Sequence, residues 1–109
     1  MKKIIVIAAA FGFAIVLNAS AADAKANWDS LCVKCHGADG KGQTTMGKKL
    51  GIKDLTDAKV QSELKDDAAF KMIKEGKKDA DGKTVMKAYV TLSDEEIKDL
   101  VTFVRGLKP

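Results

Sequence analysis

The sequence predicts an all-α domain of about four short helices, on three observations. The last stretch opens with Ser93-Asp94-Glu95-Glu96 and continues with Ile97, Leu100, Val101 and Val104 at i, i+3, i+4 and i+7. That spacing lines one face of a helix, and a serine followed three residues later by glutamate makes a capping box. Cys32-Val33-Lys34-Cys35-His36 sets two thiols three residues apart, which puts both on one side of a helical turn. No stretch alternates apolar and polar residues strongly enough to predict a strand.

In chain order, Lys2 and Lys3 precede an almost wholly apolar run from Ile4 to Leu17, and small residues follow from Asn18 to Ala24. This is the pattern of a secretory signal peptide. Cleavage is expected after Ala21, with Ala24 as the second choice. Residues 1–21 are thus a leader and 22–109 a single domain, exported to a bacterial periplasm. The apolar run falls short of the roughly 20 residues that a membrane span needs, so no span is expected after cleavage. Loss of Lys2 and Lys3 lowers the formal net charge from +4 to +2. The basic balance therefore gives no reason to expect nucleic acid or a membrane surface as partner.

The first helix of the domain is expected from Asp23 or Ala24 to Lys34, with Asp23 as N-cap. Trp28, Leu31, Cys32 and Cys35 recur along it at helical spacing, and Trp28 reads as core packing. Gly37, Gly40 and Gly42 end it, and Met46, Gly47 and Gly51 prolong an irregular region. Thr56 or Asp57 caps a short helix carrying Val60 and Leu64. Asp66 or Asp67 caps the next, which carries Phe70 and Ile73 and stops at Gly76. Lys77 to Gly82 reads as a polar turn. The final helix is expected to pack across the first.

Cys-x-x-Cys-His is also the attachment signature of c-type haem. Cys32 and Cys35 would each form a thioether with a vinyl group, and His36 would approach the iron from one side. A buried macrocycle would also supply apolar volume to a core that 88 residues leave thin. Competing readings fit less well. Zinc needs four ligands, and two cysteines with one histidine make three. A thioredoxin-like pair belongs in a βαβ setting. A disulfide closing so short a loop would stabilise little. The glycines lack both the preceding strand and the Lys-Ser/Thr of a phosphate-binding loop.

His36 is the only histidine, so a second axial ligand must come from another residue type. Once Met1 leaves with the leader, Met46, Met72 and Met86 remain. Met72 lies within a predicted helix and reads as packing. Met46 follows His36 by only ten residues, whereas Met86 lies in an irregular stretch before the capped helix. Position favours Met86, with Met46 or no methionine ligand as the alternatives.

Together, Cys32-Val33-Lys34-Cys35-His36-Gly37, Met86-Lys87-Ala88-Tyr89 and Leu92-Ser93-Asp94-Glu95-Glu96-Ile97 resemble the class I cytochromes c, in their small bacterial monohaem form. The resemblance covers essentially all of residues 22–109. It implies a small cytochrome c fold wrapped around one covalently attached haem c, with Met86 as sixth ligand. Many relatives carry proline directly after that methionine; Lys87 in its place implies a more mobile ligand loop. With both axial positions filled, a monomeric, non-enzymatic electron carrier between larger redox proteins is expected. The alternatives are a haem subunit of a respiratory or dehydrogenase complex, and a gas-sensing or peroxidase-like protein with an open sixth position. Lys34, Lys83 and Lys87 are expected to steer acidic partners.

Overall fold

The computed structural model describes residues 19–108. The greater part of the expected leader therefore lies outside the described residues. Helix α1 (Ala19–Asn27) continues without a break through a π-helical turn (Trp28–Cys32) into α2 (Val33–His36). The helix thus begins before Asp23, which lies in its interior and does not cap it. Alanines on both sides of Asp23, with Lys25 beyond, are good helix formers, so nothing there stops the helix. It ends at Gly37, whose φ of 83° only glycine adopts freely.

A helix that the glycine-rich stretch concealed follows: α3 (Thr45–Leu50). Thr44 caps it, its Oγ1 accepting from Gly47 N at 2.8 Å and donating to the Cys35 carbonyl at 2.6 Å. Met46 consequently sits on a helix and not in a loop. Glycine inside a helix costs about 1 kcal/mol relative to alanine. Here it is required, because a Cβ on Gly47 would lie 2.5 Å from the Cys35 carbonyl oxygen.

Asp57 caps α4 (Ala58–Glu63), while Thr56 is buried and donates to Asp54 at 2.6 Å. Helix α5 (Asp66–Glu75) has Lys65 at its N-cap with no side-chain bond. Asp66 and Asp67 lie one and two positions inside, where carboxylates favour the positive end of the helix dipole. Beyond Gly76, β1 (Lys77–Lys78) pairs antiparallel with β2 (Thr84–Met86), Lys77 opposite Met86. The expected polar turn is thus the tip of a small ribbon. Asp79 shapes that tip by accepting from the backbone N–H groups of Asp81 and Lys83, each at 2.9 Å. Strands of two and three residues are too short to leave a readable alternation.

Helix α6 (Asp94–Arg105) packs across α1 and against α5. Trp28, Ala69, Ile73, Ile97, Leu100, Val101 and Val104 form the core between them. Arg105 fastens the end of α4 to α6, donating to the carbonyls of Gln61 and Leu64 and pairing with Asp66 at 2.5 Å. The capping box is complete: Glu96 N donates to Ser93 Oγ at 3.1 Å and Ser93 N to Glu96 Oε1 at 3.0 Å.

The bond from Ser93 N holds the Glu96 carboxyl below its ordinary range, aided by Ser93 Oγ and Asn27. A carboxyl depressed on folding stabilises the protein above its unfolded pKa, and that stabilisation fades as pH falls through the folded value. Glu96→Gln is therefore expected to be less stable than the parent at neutral pH. The gap between them should begin to narrow below pH about 4, where the unfolded glutamate takes up its proton, and close once the folded carboxyl is protonated as well. Thermal unfolding across pH checks this, and a gap that stays constant would contradict it.

Candidate haem-binding site

The anchoring turn, α3, α4, α5 and the ribbon enclose one cavity of about 570 Å³. This lies within the roughly 300–1,000 Å³ usual for cofactor sites. Cys32, Cys35 and His36 line it, as does Met86, so all four candidate residues share one space. Leu50, Ile52, Leu55, Val60 and Leu64 make much of the rest apolar. Met46 and Met72 line it too, and Met72 is therefore more than the packing residue expected from its helical position.

Both thiols are free. Burial, with Cys35 adding, pushes the Cys32 thiol up to about 11. Catalytic dithiols do the opposite, lowering a thiol to generate thiolate, so the redox-pair reading loses its physical basis. Among the described residues no group of three or more His, Cys, Asp or Glu is placed to hold a metal ion. Burial lowers the His36 pKa, keeping the imidazole neutral, the form that ligates iron. Its Nδ1 is buried with no hydrogen-bond partner among the described residues. Two free thiols, a neutral imidazole and a thioether around an apolar cavity form a donor set that fits haem.

Trp28 is 2 % exposed and does not line this space. It packs instead behind His36, ring centroids 5.7 Å apart, and against Phe103 at 5.2 Å. The core between α1 and α6 thereby buttresses the histidine.

Backbone contacts hold the Met86 segment. Gly76, at φ 78°, lies so close that a Cβ there would be 2.6 Å from the Met86 carbonyl oxygen and 2.8 Å from Ala88 N. Tyr89 N donates to the Ile73 carbonyl at 3.0 Å. Tyr89 Oη donates to the Leu31 carbonyl at 2.9 Å, and burial leads the causes that raise this phenol's pKa and keep it a donor. Ribbon pairing and these hydrogen bonds thus flank Lys87 on both sides.

The Cytochrome c family model matches residues 21–108. The chain belongs to the cytochrome c family. It carries covalently bound haem c, and its chemistry is haem-based electron transfer. Among solved structures, the c-type cytochrome KustC0563 is 33% identical with a TM-score of 0.69, over 80% of this chain and 99% of that one. A point mutant of that protein matches at 33% identity and a TM-score of 0.66, over 79% and 99%. No curated protein gives a significant match.

Of the three lysines singled out from the sequence, Lys34 and Lys87 line the cytochrome's cavity and Lys83 does not. Lys83 lies in the ribbon tip. Lys53 and Lys77, which no motif marked, join the other two at the cavity.

Proposed function

We propose that this cytochrome is an exported, monomeric, single-haem electron carrier in which His36 and Met86 are the axial ligands and Cys32 and Cys35 the covalent anchors. The observation that carries the reading is the convergence of these four side chains on one apolar cavity. Bound haem supplies one-electron exchange. His36 stays neutral through burial and is braced by Trp28, which limits its movement when the charge changes. Met86, a soft thioether, favours the ferrous state. Were His36 and Met86 both to hold the iron, no position would be left there for a substrate, and an enzymatic role is not expected. The leader delivers the chain to the periplasm, where larger redox proteins are the partners.

Lys34, Lys53, Lys77 and Lys87 are exposed beside the cavity, which Glu63 alone among carboxylates also lines. That balance favours an acidic docking surface and makes association sensitive to salt. The test is electron transfer from the purified haem protein to an acidic redox protein across ionic strength. The parent rate should fall as salt rises. Lys34→Glu with Lys87→Glu should slow transfer about tenfold at low salt and flatten that dependence. An unchanged dependence would remove the docking face, and absence of transfer would remove the carrier reading.

A further inference from the structure

Tyr89 donates two hydrogen bonds of different kinds to two different elements. Its backbone N–H donates to Ile73 on α5 at 3.0 Å, and its hydroxyl donates to Leu31 in the π-helical turn at 2.9 Å. Leu31 immediately precedes Cys32, and Tyr89 follows Met86 by three residues. Among the described residues, this hydroxyl makes the only side-chain hydrogen bond between the anchoring turn and the Met86 segment. Leu31 and Tyr89 themselves line the cavity, so the bond closes a strap along its wall.

The surroundings fit a restraint. Gly76 admits the backbone of Met86 to Ala88 at a distance that excludes any side chain. Lys77 pairs with Met86 in the ribbon. On the other side of Met86 the chain runs free of ladder bonds until Tyr89, where both the main chain and the side chain are tied. The Lys87 ammonium lies 5.3 Å from the Tyr89 ring centroid and covers one face of it. The π-helical turn is itself an irregularity of the kind that gathers at functional sites, and its Leu31 carbonyl has a second lone pair for an outside donor.

We propose that Tyr89 is a positioning residue whose hydroxyl, by tying the Met86 segment to the haem-anchoring turn, sets how readily Met86 leaves the iron. The inference rests on the reading of Met86 as a ligand. Departure of Met86 requires the segment to swing away from the cavity, and the strap opposes that swing. Loss of one such bond makes opening about five- to tenfold more frequent.

The test uses the haem-loaded, full-length mature protein and imidazole as probe. An external ligand enters the ferric iron only when Met86 has left, so its binding rate reports opening. Tyr89→Phe removes the hydroxyl alone and should retain the near-infrared sulfur-to-iron charge-transfer band while binding imidazole about five- to tenfold faster. Ser93→Ala weakens the α6 cap at a residue that does not line the cavity, and should leave the imidazole rate unchanged. A Tyr89→Phe rate within about twofold of the parent overturns the proposal, being below the loss expected for one bond. An equal acceleration in Ser93→Ala also overturns it, because opening would then follow overall stability. A parent lacking the charge-transfer band defeats Met86 ligation and this inference together. A parent whose band Met86→Ala abolishes, with imidazole binding unaffected by Tyr89→Phe, defeats this inference alone.

Discussion

Met86→Ala is expected to lower the reduction potential by on the order of 0.2 V, about a quarter of the roughly 0.8 V that haem axial ligands span. The thioether stabilises ferrous iron, and its removal favours the ferric state. The same change should turn a six-coordinate, low-spin centre into one that is high-spin and open to external ligands. Two other methionines line the cavity, so substitution by a neighbour is the obvious escape. Their settings oppose it. Met46 sits on α3, which Gly47 seats directly against the Cys35 carbonyl, beside the anchoring turn. Met72 lies in the body of α5, fixed at its end by Gly76 and packed against α6. Both side chains are carried on helices, whereas Met86 stands at the end of the two-stranded ribbon. Potentiometry with the ferric spectrum checks the prediction, and retention of native methionine ligation would move the assignment to Met46 or Met72.

Ile97→Ala should cost about 3–4 kcal/mol of stability. Ile97 is 0 % exposed, and with Leu100 it fills the centre of the contact between α6, α1 and α5. Three helices meet there, so the walls cannot collapse onto the void, and the loss includes a cavity as well as lost transfer energy. For a domain of this size each kcal/mol shifts the unfolding midpoint by about 4–8 °C, so a fall of roughly 12–30 °C is expected. Ile97 does not line the haem cavity, and the ferric spectrum of the folded variant should match the parent. Calorimetry of the haem-loaded protein measures the effect, and a loss under about 1 kcal/mol would mean that the site repacks freely.

How far the sequence was legible varies along the chain for physical reasons. The start and buried face of the last helix were readable because its capping box and apolar stripe are both local patterns that packing reinforced. The anchoring motif was readable because two cysteines and the sole histidine stand in five residues. Helix α3 was hidden because Gly47 argues for a loop by propensity, while its role is tertiary: it admits the Cys35 carbonyl. The ribbon was hidden because its pairing is fixed by the Asp79 turn and by Gly76, not by alternation. Lys53 and Lys77 joined the cavity through folding alone. Tyr89 was legible as part of the Met86 motif, but its bond to Leu31 spans 58 positions and leaves no local trace.

The near-infrared spectrum of the intact ferric protein, purified with its covalent haem, tests the central claim most directly. The account predicts a low-spin centre with a sulfur-to-iron charge-transfer band, as expected of His36 and Met86 on opposite sides of the iron. High-spin ferric iron without that band would contradict it.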